Sequence, residues 1–282
     1  MRFAVVLVAV RPALALVPLA SVASTAAWLR ESSFGVLDSS AGTLRPRLRS
    51  LDDDPLTLGL MESGDVGCVA RLFADCFAPS VSVAYGGGFE DGALAAVAGA
   101  AKAYDVAEYA FGLRSRCGGR LSNPASAFED GADGGAVVLA VCRRSGAECV
   151  GAVEIRLRPA DGAHPAPLPV AERLAGLFSP GPAAPPRPYM SNVCVADRCR
   201  RRGLAKVLVS AAEHVAAGLW SYDAAFLHVH EGNGPALALY GACGYAPLDD
   251  LYRPPLRFFY KRLADGAPSP AEVVAAAGGE AR

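Results

Sequence analysis

Residues 189 to 205 (YMSNVCVADRCRRRGLA) and 226 to 245 (FLHVHEGNGPALALYGACGY) constrain the fold of this chain more than any other part of it. In the first, an apolar, strand-like run of Val193, Cys194 and Val195 enters a turn that leads to Arg200, Gly203 and Ala205. Leu204, Val207, Leu208, Ala211, Val215 and Leu219 then recur at three- and four-residue spacing, which predicts a helix with one buried face. A helix N-terminus carries unpaired N–H groups and the positive end of the macrodipole, and together these attract an anion. Gly203 and Ala205 keep side chains away from the backbone there, while Arg200, Arg201, Arg202 and Lys206 add positive charge at the rim. A solvated basic turn before an ordinary core helix has the same composition. The second segment decides between the two.

Phe226 to His230 alternates as a strand does, Glu231 and Gly232 break it, and Asn233 stands where an N-cap belongs, with Pro235 in the first helical turn. The helix runs to about Cys243, Gly244 ends it, and Tyr245 begins another extended stretch. Tyr240 lies about two helical turns beyond Asn233, so the cap amide and the phenol face one groove.

These motifs, Arg200-Arg201-Arg202-Gly203-Leu204-Ala205 followed by Asn233, Tyr240, Gly244 and Tyr245, resemble those of the GNAT superfamily of N-acetyltransferases. The resemblance extends over roughly residues 56 to 263 and is nearest to the protein N-alpha-acetyltransferases and plastid GNAT-type enzymes. It implies a mixed α/β (α+β) fold: a central, mostly antiparallel, splayed sheet flanked by helices. It also implies acetyl-CoA as acetyl donor, direct transfer to a primary amine, and no metal. Carried over, the backbone of Val193, Cys194 and Val195 pairs with the pantetheine arm. Arg200, Arg201, Arg202, Gly203, Leu204, Ala205 and Lys206 surround the pyrophosphate, Asn233 bonds the pantetheine region, and Tyr240 protonates the departing thiolate.

The base that takes the acceptor's proton has several candidates. His228 lies on the strand beside the cofactor and has a side chain suited to proton transfer near neutral pH. Tyr189 opens the preceding strand, and the pair is similar to the Tyr and His with which some protein N-alpha-acetyltransferases deprotonate a peptide amino terminus. Glu154, alternating with apolar Val153 and Ile155, is the rival, read as a groove-facing or solvent-facing carboxylate. His230 shares a face with His228 and is expected to meet solvent or substrate. The expected acceptor is a protein or peptide amine at its N-terminus, with possible lysine activity. A small-molecule amine is the alternative, as is a non-catalytic CoA-binding module.

A chain of 282 residues suits one domain of about 200 residues with extensions. Its net charge of −1 argues against broad nucleic-acid binding, which needs a basic excess. Residues 1–50 read as a targeting leader: two apolar stretches interrupted by Arg11 and Pro12, then a Ser-, Thr- and Arg-bearing segment. The interruption disfavours a membrane span. The bipartite pattern is similar to leaders of complex plastids, so a plastid is expected, with the secretory pathway or mitochondrion as alternatives. Residues 51–263 are read as the catalytic domain, with Leu56 to Met61 as its opening strand and Asp65 as the cap of a helix from Val66 to about Phe77. Gly86 to Gly88 reads as a flexible loop before a helical stretch from about Gly92 to Leu113, residues 136–143 and 149–158 as an antiparallel hairpin, and Arg257 to Leu263 as the last strand. A proline-rich insertion at 159–188 holds one short amphipathic piece, Val170 to Phe178, and 264–282 has the composition of a disordered tail. The eight cysteines include no C-x-x-C pair and are expected to be free thiols. Nothing in the sequence sets the oligomeric state.

Overall fold

Alternation along one central strand divides the molecule into layers. Val137, Leu139 and Val141 enter one apolar cluster and Val138 and Ala140 another, on opposite faces of the sheet. The protein was described from a computed structural model, which describes residues 35–38, 43–46, 56–77, 91–122, 135–143, 148–163 and 185–277. Its strands are β1 (Gly35–Asp38), β2 (Thr43–Pro46), β3 (Leu56–Leu60), β4 (Val137–Arg143), β5 (Cys149–Pro159), β6 (Pro186–Val195), β7 (Ala224–His230), β8 (Ala246–Pro247) and β9 (Leu256–Arg262). The helices are α1 (Val66–Phe77), α2 (Asp91–Cys117), α3 (Leu204–His214), α4 (Gly234–Ala242) and α5 (Pro270–Ala276).

Seven strands form one sheet in the order β3-β4-β5-β6-β7-β9-β8, antiparallel throughout except between β6 and β7. This is the mixed, mostly antiparallel α/β architecture expected. One face carries α3, whose Leu204, Leu208, Ala211 and Ala212 meet Val153 and Ile155 of β5 and Leu227 of β7. The other carries α1 and α2, through Val69, Phe73 and Leu113. Toward β9 a third cluster gathers Tyr189, Phe226, Phe258 and Tyr260. The expected hairpin of residues 136–143 and 149–158 is β4 and β5, and the expected last strand is β9. Val215–Leu219 continues α3 as a π-helical turn.

Three local expectations change. Asp65, expected to cap α1, instead closes a short 3₁₀ turn, Ser63–Asp65, by accepting from the Glu62 amide at 3.2 Å. The helix expected to end near Leu113 continues to Cys117. Residues 264–277, expected to be disordered, are ordered as far as α5. Ser269 and Glu272 form a capping box with Pro270 in the first turn, and Val273 and Val274 bury themselves in the third cluster. Composition misjudged this stretch because two adjacent valines and one cap suffice to dock a short helix. Within the segment read as leader, β1 pairs antiparallel with β2. Residues 1–34, the glycine run 86–88 and the amphipathic piece 170–178 of the insertion lie outside the described residues.

Candidate active site

The site begins where two strands part. β6 pairs with β7 only through Tyr189↔Phe226 and Met190↔Leu227, and beyond Met190 the two diverge. A bulge marks the place: Ser191 pairs with Glu154 and Cys194 with Ala152, so Asn192 and Val193 together face the single residue Val153. Asn192 takes a left-handed φ of 52°, which bends β6 and strengthens its twist. The edge of Val193, Cys194 and Val195 turned toward β7 therefore has no strand partner among the described residues. Its amides and carbonyls are placed to pair with an extended amide chain.

After β6 the chain makes the basic turn. Arg201 and Gly203 both have left-handed φ, 63° and 84°, and Gly203 is the N-cap of α3. A side chain at Gly203 would meet nothing within 4 Å, so the space over the first amides of α3 is open. An anion in that space would meet the first-turn N–H groups of Leu204, Ala205 and Lys206. Arg201, Arg202 and Lys206 are exposed around it. Arg200 is held differently. Its Nε donates to the Val195 carbonyl at 3.1 Å and its guanidinium pairs with Asp197 at 2.6 Å, so it braces the turn. A free strand edge leading to an open helix N-terminus fits the pantetheine and diphosphate of coenzyme A.

On the α3 face, Asn233 caps α4 by accepting from the Ala236 amide at 3.2 Å, a bond that uses its Oδ1 and not its amide nitrogen. Tyr240 is buried in that helix, edge-on to Tyr245 at 5.8 Å between ring centroids. Burial pushes its phenol well above the usual range, and nearby Tyr189, Cys243 and Cys194 push it further. A phenol in that state keeps its proton at neutral pH, which suits a donor.

Tyr189 and His228 sit on the opposite face, where β6 and β7 are still paired. The Tyr189 hydroxyl lies 3.1 Å from His228 Nδ1, and His228 Nε2 lies 3.3 Å from the Gly162 carbonyl. A carbonyl only accepts, so it selects the tautomer with hydrogen on Nε2, and Nδ1 then accepts from the phenol. Burial pushes Tyr189 up to about 12, against the opposing charges of Arg158 and Arg156. Phe258 packs against the His228 ring at 4.7 Å. His230 is exposed, its Nδ1 accepting from the Gly232 amide at 3.1 Å.

Glu154 is neither groove-facing nor solvent-facing. It is 1% exposed, receives Arg116 at 2.8 and 3.0 Å through two nitrogens, and accepts from Asn192 Nδ2 at 2.9 Å. Each carboxylate oxygen is engaged, so Glu154 anchors the bulge and does not serve as a free base. Alternation placed it on a face of β5; it did not reveal that α2 covers that face. Gly162, Arg116 and Asn192 were not singled out by sequence. Asn192 alone had a signal, a polar residue inside the apolar run that enters the turn.

An open strand edge, a helix start with free space over its first amides, a buried phenol and a tyrosine–histidine pair fit an acyl-transferring enzyme that uses a coenzyme A thioester. Residues 114–245 match the model of the acetyltransferase (GNAT) family, a span that includes every site residue from Tyr189 to Tyr240. Over that span the chain is similar to an acetyltransferase domain of this family, and the site described above fits acetyl-CoA as acetyl donor. Among solved structures, Arabidopsis thaliana NAA60 in complex with acetyl-CoA is 15% identical, over 73% of this chain and 98% of that one, with a TM-score of 0.42. The PaiA N-acetyltransferase of Thermoplasma acidophilum in complex with coenzyme A is 11% identical, over 73% and 98%, with a TM-score of 0.41. A spermidine N-acetyltransferase SpeG chimera from Vibrio cholerae and hSSAT is 14% identical, over 74% and 95%, with a TM-score of 0.38. No curated protein matches the chain by sequence. No helix among the described residues is long and apolar enough to cross a membrane.

Proposed function

We propose that the protein acetylates the free amino terminus of a protein or peptide. The observation that carries this reading is the Tyr189 hydroxyl bonded to His228 Nδ1, with Gly162 fixing the imidazole from its other side. An amine arriving beside the parted strands meets a phenol oxygen whose own proton already points at a neutral imidazole. As the amine attacks, its proton passes to the Tyr189 oxygen while the phenol proton moves to Nδ1. The resulting imidazolium keeps its Nε2–H bond to the Gly162 carbonyl. Acetyl-CoA supplies the activated acetyl group. Tyr240, which holds its proton tightly, returns one to the departing sulfur from the α4 side. The sheet separates the two functions, donor on one face and acceptor of protons on the other, and the gap between β6 and β7 lets them reach one reacting centre.

The test is a competition among amines. Purified protein with acetyl-CoA is offered peptides with free N-termini, the same peptides with blocked N-termini and internal lysines, and polyamines such as spermidine. Product identified by mass spectrometry on free N-termini, in preference to the other two, supports the reading. Acetylated spermidine with unmodified peptides would replace it with small-molecule acetylation, and acetyl-CoA binding without any product would make the protein a binding module. For the compartment, the leader composition supports a plastid, checked by organelle fractionation together with sequencing of the mature N-terminus.

A further inference from the structure

The free edge of β6 has a thiol partner on the far side of the sheet. Cys194 lies in the middle of that edge, and its side chain points into the cluster under α1. Cys76, in the last turn of α1, is half-buried against it. The Cys76 thiol donates to the Val195 carbonyl at 3.8 Å, next in sequence to Cys194, and packs in the same cluster as the Cys194 side chain. Arg200 Nε donates to the same carbonyl at 3.1 Å, which sets its positive charge beside the Cys76 sulfur. Two thiols, one carbonyl and one guanidinium thus meet where α1 ends and the anion turn begins.

Their environments differ in a useful way. The bond from Cys194 and the charge of Arg200 bring the Cys76 thiol down to about 7, against its burial. Burial and the neighbouring Cys76 hold Cys194 well above the usual thiol range. One sulfur is partly exposed and readily ionised, and the other is inaccessible from solvent but adjacent. That is the arrangement of an attacking and a resolving cysteine.

We propose that Cys76 and Cys194 form a reversible disulfide when hydrogen peroxide is present, and that this bond weakens acetyl-CoA binding at the adjoining strand edge. The second half rests on the cofactor site assigned above. The Cys76 thiolate attacks one peroxide oxygen, the O–O bond breaks, and a sulfenic acid and hydroxide form. Cys194 then attacks that sulfur, the S–O bond breaks, and the hydroxyl leaves as water with the Cys194 proton. The earlier hydroxide takes the proton that Cys76 lost on ionising. Two thiols and one peroxide become one disulfide and two waters. Bonded sulfurs sit about 2 Å apart, so closure draws the end of α1 onto β6 and takes the Cys76 sulfur from the Val195 carbonyl that it shares with Arg200. The edge and the turn that receive acetyl-CoA are then displaced together.

The experiment uses the reduced full chain, peroxide, disulfide mapping by differential alkylation and mass spectrometry, and calorimetric titration of acetyl-CoA. The expected result is a Cys76–Cys194 linkage with Kd raised about tenfold, a size typical of coupling between sites, and reversal by dithiothreitol. Cys76→Ser should bind acetyl-CoA as the untreated protein does and lose the response; Cys76→Ala repeats the test without a hydroxyl. Coupling is reciprocal, so saturating acetyl-CoA should raise the pair's reduction potential by about 30 mV, the equivalent of tenfold for two electrons. A mapped linkage with unchanged Kd overturns the proposal. So does equal peroxide sensitivity in Cys76→Ser, which would move the effect to the separate thiol group of Cys68, Cys142 and Cys149. Reduced protein without affinity for acetyl-CoA would sink the cofactor site and this proposal together, whereas the other two outcomes sink the proposal alone.

Discussion

Tyr240 holds its proton because its helix buries the hydroxyl where an anion is poorly solvated, and that same burial limits what the residue can contribute. In the proposed mechanism it acts only when charge develops on the leaving sulfur, so Tyr240→Phe should lower kcat by about 100-fold while acetyl-CoA affinity changes by less than about twofold. Stopped turnover with equal loss of binding would contradict the role. The proposed mechanism makes Tyr189 and His228 one unit, since the phenol proton needs Nδ1 as its destination. Tyr189→Phe and His228→Ala should each reduce kcat/KM by a similar factor, and the double variant should be little worse than either. Additive losses in that cycle would mean that the two residues work separately. All three side chains were visible in the sequence, because their spacing from the glycine turn is local. Gly162 was not, because its carbonyl reaches His228 across 66 residues of chain and leaves no mark in composition.

At the level of elements, the bulge in β6 decides where the strands part, and a buried ion pair decides the bulge. Arg116 comes from the last turn of α2, Glu154 from β5 and Asn192 from β6, so one carboxylate joins a helix to two strands. Arg116→Ala leaves Glu154 charged, buried and short of its counter-ion, and should cost about 3–5 kcal/mol. Thermal unfolding should show it as a fall of about 6–20 °C for a domain of this size. Glu154→Gln removes the charge while keeping a polar group beside Asn192, so it should lower the melting temperature less and leave the pH dependence of kcat unchanged. A lost pH limb in that variant would restore Glu154 as the base. The strands, helices and the anion turn were legible because hydrophobic period, a cap and a glycine mark them in sequence. Neither the bulge nor the ion pair was, since alternation tells which face a residue takes and nothing about what covers it.

On the scale of the whole molecule, three apolar clusters share one sheet, and the third depends on the tail. Val273 and Val274 of α5 cover Phe226 and Phe258 near Tyr189, and the Tyr260 hydroxyl donates to the Pro268 carbonyl. Removing residues 264–282 should cost about 3–6 kcal/mol, the burial of two valines, and shift the urea midpoint accordingly. An unchanged midpoint would return the tail to the disorder its composition suggested. Alkaline titration tests the clusters in a second way, through the phenols they enclose. Tyr189, Tyr240 and Tyr245 all have folded-state values raised above 10, chiefly by burial. In the unfolded chain each phenol loses its proton near pH 10, while in the folded protein it keeps it. Above pH 10 the unfolded state therefore binds fewer protons, and the equilibrium moves toward it as pH rises; below pH 10 the phenols change nothing. Each contributes up to about 1.4 kcal/mol per pH unit, so the three together should steepen the loss by about 4 kcal/mol per unit from pH 10 toward the folded values, about 12 for Tyr189. Buried thiols such as Cys117 and Cys194 add a fall of their own from about pH 9, so the phenol contribution is read by difference. Urea midpoints of the protein and of Tyr189→Phe should run parallel from about pH 9 to 10, and Tyr189→Phe should fall less steeply from about pH 10 to 11. Stability that holds level to pH 11 would mean that these rings are open to water, and that Tyr240 lacks the seclusion on which its role as a proton donor depends.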